Sequence, residues 1–246
     1  MNKTTLVVTV SRQEFLLNAL LSVKNQTFKK FDIVIVVDTN IDENVLQNAM
    51  NLVESLFNDW NENLVIKALK GNGSAGYIRN VGFELAQTEW ILYMDDDDEL
   101  SEHAMLLMNQ YINKYGNGIY SSGIYRIYKN SIKKNIPESI IWLPNKQLYQ
   151  GDPLAVNSSI YFNQLQAIRK LEWEKYIFRN EMGEDLDYVM HHLLNIPFIR
   201  VPYYLYGYRD NPNSLSHRRD IDIFTERYES GYYYCLYYNS CQRLIK

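Results

Sequence analysis

The sequence predicts an α/β fold built on a doubly wound, mainly parallel sheet. Three observations carry that expectation. Short β-branched or aromatic runs alternate with stretches of helical periodicity through the first hundred residues. The connections between them are short, as in strand–helix–strand units. The second and fourth runs both end in carboxylates, Asp38 and Asp95, which places two acids on one rim of such a sheet. Thr5 to Val10 is a β-branched run and reads as a buried strand. Glu14 to Asn25 carries Leu16, Leu20 and Val23 at helical spacing. Asp32 to Asp38 is the second strand, and Asn44 to Asp59 a helix with Leu52, Val53 and Leu56 inward. Leu64 to Leu69, Gly76 to Ala86 and Trp90 to Met94 complete the series as strand, helix and strand.

Composition bounds the function. A chain of 246 residues, 46% hydrophobic and 22% charged, is long enough for one large or two small domains and can bury a substantial core. A formal net charge of −4 gives no global basic field, which argues against a nucleic-acid partner. The two cysteines, Cys235 and Cys241, match neither a helical same-face pair nor a zinc spacing. No signal-peptide pattern and no apolar run of membrane-spanning length stand out, so a cytoplasmic location is expected.

The most informative stretch is Trp90 to Leu100. An apolar strand stops abruptly at Asp95, Asp96, Asp97 and Asp98. Adjacent carboxylates repel one another, and the carboxyl ends of strands in an open α/β sheet are where ligands bind. A divalent cation held by oxygen ligands would offset the charge; a solvated acidic turn capping the next helix is the plainer reading. Upstream, Gly71-Asn72-Gly73-Ser74-Ala75-Gly76 matches Gly-x-Gly-x-x-Gly, with Asp95 or Asp96 about twenty residues on. Taken alone, this proposes an NAD(P)-dependent oxidoreductase. Against it, the motif follows the third strand rather than the first, and that strand contains Lys67. Four aspartates also exceed the needs of one ribose contact. The glycine loop remains a place where a helix N-terminus faces an anion, and Arg79 and Asn80 lie one turn in, within reach of a phosphate or ribose.

Beyond residue 100, Ser101 to Lys114 reads as a helix with Ser101 as N-cap. Ile119 to Tyr128 alternates like a strand. Ser131 to Asn157, with Pro137, Pro144, Gly151 and Pro153, is expected to be loop-rich with one hairpin. Trp142, Tyr149 and Trp173 are aromatic residues that could stack on a sugar, although single aromatics are more often core. Gly183-Glu184-Asp185-Leu186-Asp187 opens a helix to about Asn195. Acids in a first turn complement the helix dipole, which explains an acid there but not a glycine followed by a Glu-Asp pair. Phe198 to Val201 is a further strand. It leads to Tyr206-Gly207-Tyr208-Arg209 and a Ser/His-containing loop with His217, Arg218 and Arg219. Asp220 to Lys246 fits an aromatic helix with Phe224, Tyr228 and Tyr232 in a row. Core cover is its plain role, with membrane-surface contact or dimerisation the alternative.

Five pieces in order resemble the nucleotide-sugar half of an inverting family 2 glycosyltransferase with the GT-A fold. They are Val7 to Arg12, Ser22 to Phe28, Val36-Val37-Asp38, Ala75 to Gly82, and Tyr93 to Leu100. The resemblance implies one GT-A domain over 1–246. Residues 1–100 would be the Rossmann-like nucleotide half, 101–219 the irregular acceptor and catalytic-base half, and 220–246 a helical tail. It implies that Asp38 accepts from the nucleotide base, that Arg79 and Asn80 lie beside the nucleotide, and that the aspartates are the family's DXD motif. Asp97 and Asp95 would then hold Mg²⁺ or Mn²⁺, with Asp96 near the ribose. Asp185 would be the general base, supported by Glu184. Arg209, His217 and Arg218 would belong to a segment folding over the diphosphate. Many members have two consecutive acids ending the second strand, whereas this chain has Val37-Asp38.

The function so implied is transfer of a sugar, with inversion, from a nucleotide-diphosphate sugar (a UDP-sugar favoured) to a hydroxyl of a saccharide or lipid-linked acceptor. The enzyme would be cytoplasmic or peripheral to the inner membrane face. A nucleotidyltransferase would place a glycine-rich basic loop after the first strand, where this chain has Ser11-Arg12-Gln13-Glu14. A non-catalytic nucleotide- or sugar-binding module is the remaining alternative, against which the acids at Asp97 and Asp185 argue.

Overall fold

The computed structural model describes residues 3–40, 44–71, 74–128, 131–134, 141–142, 165–180, 184–193 and 195–210. The four expected strands form as Thr4–Val10 (β1), Asp32–Asp38 (β2), Leu64–Leu69 (β3) and Trp90–Asp95 (β4). The helices between them are Leu16–Lys24 (α1), Val45–Phe57 (α2) and Ala75–Leu85 (α3). There follow Glu99–Leu100 (β5), Ala104–Tyr115 (α4), Ile119–Tyr128 (β6), Ser131–Lys134 (β7) and Ile141–Trp142 (β8). The last described elements are Gln166–Arg169 (β9), Lys170–Trp173 (α5), Glu184–Leu193 (α6) and Phe198–Arg209 (β10).

Among the described residues one sheet runs β3-β2-β1-β4-β9-β6-β10-β5, with β7 on β6 and β8 on β10. The first four strands are mutually parallel. Beyond β4 the parallel rule fails. Strand β9 is antiparallel to both β4 and β6, and β5 and β8 are antiparallel to β10, while β6 and β10 pair in parallel. The sheet is therefore mixed, parallel only in its nucleotide half. The order 3-2-1-4 puts a topological switch between β1 and β4, where a crevice opens at the carboxyl ends.

Strands β1 and β2 are buried along their whole length, as continuous β-branched runs require when both faces are covered. Leu6, Val8 and Val10 face α1, α2 and α4; Val7, Val34 and Val36 face α3 and α6. Lys67 is exposed because β3 is the sheet's edge. Strand β7 pairs antiparallel with β6, which lies outside the 131–157 stretch in which a hairpin is expected; most of that stretch lies outside the described residues. Helix α4 begins later than expected, with His103 as its cap residue, because Ser101 spends its carbonyl on a turn to Ala104 N (3.0 Å).

The expected sugar platform at Trp173 is core: its ring packs 5.5 Å from Phe83 and it is 4% exposed. The Trp142 side chain, Tyr149, His217, Arg218, Arg219 and the aromatic tail lie outside the described residues. No described helix is long and apolar enough to cross a membrane.

Candidate active site

The crevice is built from strand ends. Asp38 closes β2 and Asp95 closes β4, on either side of β1, in whose register Thr9 stands opposite Asp95. Asp38 has no exposed surface. Its Oδ1 accepts the backbone N–H of Asn40 (2.9 Å) and of Gly71 (2.8 Å). Its Oδ2 is buried and has no hydrogen-bond partner among the described residues. Residue 71 must be glycine for this approach, since a Cβ there would lie 2.4 Å from Asp38 Oδ2.

The four aspartates are separately tethered. Asp95 Oδ1 accepts from Thr9 Oγ1 (2.8 Å), and both of its carboxylate oxygens face Arg79 Nη2, at 3.2 and 3.1 Å. Asp96 Oδ2 accepts the N–H groups of Ser11 and Arg12, each at 2.6 Å. Burial pushes the Asp96 carboxyl up to about 7, against the pull of those two N–H groups. Asp98 accepts the Tyr206 hydroxyl and the Arg209 N–H (2.8 Å). Burial, then Asp97 and Asp95, hold the Asp98 carboxyl well above the ordinary carboxylate range. Asp95 and Asp97 are the partly exposed members of the quartet, their side chains 24% and 18% exposed, and Asp97 Oδ2 lies 3.9 Å from Arg12 Nη1.

Arg209 braces this loop from the far side. Its Nε donates to the Asp97 carbonyl (2.9 Å), its Nη2 pairs with Glu99, and its guanidinium lies 4.5 Å from the Phe15 ring centre. Arg12 and Tyr206 were not singled out as site residues from the sequence. Arg12 had a readable signal, a cation directly after β1 on the rim that carries the acids.

Arg79 joins the aspartate loop to the start of α6. Nη1 pairs with Glu184 Oε1 and Nη2 with Asp95, and the side chain is 3% exposed beside the adjoining Tyr93 and Phe178 rings. Burial opposes the Arg79 charge, but Asp95 and Glu184 outweigh it and hold the group protonated. Burial raises the Glu184 carboxyl, opposed by Arg79 and reinforced by Asp185. Asp185 is half-buried, and its charge also raises the Tyr93 phenol. Through Arg79, the end of β4 and the first turn of α6 are joined.

Two expectations change in this arrangement. Asn80, expected at a phosphate or ribose, faces inward: its Nδ2 donates to Phe178 O (2.8 Å), and its Oδ1 accepts from Phe178 N (3.0 Å) and Trp173 Nε1 (3.2 Å). Both ends of the carboxamide are occupied, so it clamps a chain segment. Asp95, expected as a second metal ligand, is committed to Arg79 and Thr9. No group of three or more His, Cys, Asp or Glu that could hold a metal occurs among the described residues. A partly exposed carboxylate such as Asp97 would fit a divalent cation of the Mg²⁺ kind, which is commonly held through one or two carboxylates.

Comparison with known proteins bears on this geometry. The model of the family described as "Glycosyl transferase family 2" matches residues 4–171. Over 118 residues the chain is 29% identical to the teichoic acid poly(glycerol phosphate) polymerase of Staphylococcus epidermidis, covering 48% of this chain and 15% of that protein. Over 111 residues it is 31% identical to the GalNAc(5)-diNAcBac-PP-undecaprenol beta-1,3-glucosyltransferase of Campylobacter jejuni, covering 44% of this chain and 34% of that protein. These matches span well under half the length of either relative. Among solved structures, S. aureus TarS 1-349 superimposes with a TM-score of 0.66 at 19% identity, covering 85% of this chain and 60% of that one. Its complex with UDP-GlcNAc gives 0.66 at 17% identity over 90% of this chain and 62% of that one. The mixed sheet is that of the GT-A fold.

Proposed function

We propose, from the premise that this chain belongs to glycosyl transferase family 2, that it transfers a sugar from a UDP-sugar to an acceptor hydroxyl with inversion. The acceptor is a saccharide or lipid-linked saccharide, met on the cytoplasmic side. The observation that carries the reading is the Arg79 bridge, which joins the aspartate loop to the Glu184-Asp185 turn. Support for the donor comes from the structures of S. aureus TarS 1-349 in complex with UDP and with UDP-GlcNAc. Support for the acceptor comes from a relative named for glucosyl transfer to an undecaprenol-linked glycan.

In the mechanism, Asp38 accepts from the nucleotide base at the β2 end. Asp185 takes the proton of the acceptor hydroxyl as its oxygen attacks the anomeric carbon from the face opposite the diphosphate. The new C–O bond forms as the bond to the diphosphate oxygen breaks, and the nucleoside diphosphate leaves with that electron pair. A Mg²⁺ or Mn²⁺ ion, held by Asp97, supplies Lewis-acid stabilisation of the leaving diphosphate when bound. Glu184, paired with Arg79, orients the turn that carries the base.

The test is Asp185→Asn, assayed by UDP release from a panel of UDP-sugars and by the thermal shift that UDP induces with and without Mn²⁺. Release is expected to fall about a hundredfold to ten-thousandfold, while UDP, strengthened by Mn²⁺, still raises the melting temperature. Near-normal release by that variant would remove the base assignment. A thermal response to NAD(P) and to no nucleoside diphosphate would replace the whole reading with redox chemistry.

A further inference from the structure

Three residues on one turn of α3 touch the chain that leads into α6. At Gly76 a Cβ would lie 2.1 Å from the Arg179 carbonyl and 3.1 Å from Glu184 Cγ, so the two segments meet where only glycine fits. Asn80 holds both the N–H and the carbonyl of Phe178. Arg79, between them, pairs with Glu184 at one end and Asp95 at the other.

We propose that Arg79 is a positioning residue for the general base: it spaces the first turn of α6 from the aspartate loop and makes no contact with the nucleotide. This rests on the reading of Asp185 as the base. Both Nη ends of the guanidinium carry carboxylates, two adjoining aromatic rings lie to one side of it, and Nε is buried with no hydrogen-bond partner among the described residues. The Tyr93 and Phe178 rings lie 5.0 and 5.7 Å from it. At 3% exposure it offers no edge to a base or a phosphate. A planar fork with fixed donor directions also sets geometry in a way that a flexible ammonium cannot. Asp185 is the next residue after Glu184, so displacing the Glu184 carboxylate moves the base with it.

The aspartate loop has other anchors. Asp96 is held by Ser11 and Arg12, and Asp98 by Tyr206 and Arg209. Losing Arg79 therefore releases α6 more than it releases the donor side. The signature of such a role is a fall in kcat with nucleotide affinity kept, because a misplacement of about 1 Å costs roughly a hundredfold in rate. A nucleotide contact would show the opposite split.

The experiment compares Arg79→Met, Arg79→Lys, Glu184→Gln and the double variant R79M/E184Q. It measures UDP affinity by calorimetry and kcat by UDP release from the best donor of the panel. Both R79M and E184Q are expected to lose kcat, by roughly a hundredfold for R79M, with UDP affinity unchanged. The double variant is expected to be no worse than R79M, since the two groups act through one contact. Arg79→Lys is expected to lose most of the rate although it keeps the charge. If R79M does not fold, Gly76→Ala, which wedges the same joint with Arg79 intact, is expected to give the same split. UDP affinity weakened tenfold with kcat kept, or losses that multiply in the double variant, would overturn the proposal. An inactive Asp185→Asn beside a fully active R79M would sink this inference alone, whereas an active Asp185→Asn would sink the base reading beneath it.

Discussion

Gly71→Ala probes the nucleotide end of the crevice. Asp38 is fully buried, with Oδ1 bound to the Asn40 and Gly71 N–H groups and Oδ2 inside without a partner among the described residues. A Cβ at position 71 would stand 2.4 Å from Oδ2, 2.7 Å from Cγ and 2.9 Å from Oδ1. A short, pinned carboxylate cannot swing away as a lysine tip would. Either Asp38 turns or residue 71 retreats, and both outcomes break the Gly71 hydrogen bond. A hydrogen bond to a charged group contributes about 1.5–3 kcal/mol. If Asp38 accepts from the nucleotide base, the same displacement removes that contact too. UDP affinity should then fall by roughly tenfold to a hundredfold. The assay is calorimetric titration of UDP into wild type and variant, with thermal melts in parallel. Rate at saturating donor should change little, because Asp185 is carried by a different element. A lower melting temperature with unchanged UDP affinity would reduce Asp38 to a turn-stabilising acid and refute the base contact.

Two further outcomes are expected. Asn80→Ala strands the Phe178 N–H, the Phe178 carbonyl and the Trp173 indole N–H in a buried site, so urea unfolding should report a loss of about 2–4 kcal/mol; a change under about 0.5 kcal/mol would show that the clamp is redundant. His192 is buried beside Tyr176, and burial lowers its pKa to about 4 from 6.5, so the folded protein binds that proton less readily than the unfolded chain. Its contribution is whole above pH 6.5 and falls as pH drops toward 4, by about 3 kcal/mol in all. His192→Gln should flatten the stability slope in that window, and an unchanged slope would place the acid sensitivity elsewhere.

The nucleotide half is legible in the sequence because β1 and β2 are buried on both faces and so read as unbroken β-branched runs, with β4 a short apolar one. Only element ends shift there, by one or two residues. Strand β9 escapes because Gln166-Ala167-Ile168-Arg169 is four residues long with polar ends, and its place between β4 and β6 is a long-range fact. Strand β10 reads as ending at Val201 but runs to Arg209, since irregularities between Val201 and Tyr204 and between Tyr204 and Tyr206 break the alternation that would reveal it. Among site residues, the acids were visible by type and position. Asn80 lies on the expected helix but faces inward, because nothing in a helix's own spacing says that a later segment will cover its polar side chains.

The acidic quartet makes the general point. Four identical residues in a row carry no internal cue to separate roles, and like charges so close should scatter. What separates them is the direction in which each leaves the backbone and what meets it there. Asp95 continues the β4 pleat into Arg79 and Thr9, on the α3 side. The chain then turns, with Asp98 N–H donating to the Asp95 carbonyl at 3.4 Å. Asp96 falls under the N–H groups that end β1, and Asp98 under β10. Three carboxylates are thereby fixed from three different elements, each offsetting part of its burial with donors. The fourth, Asp97, has Arg12 Nη1 3.9 Å from its Oδ2, and Arg209 Nε holds its carbonyl. The redundancy of the sequence is therefore not redundancy of structure: each of the four aspartates meets a different set of partners.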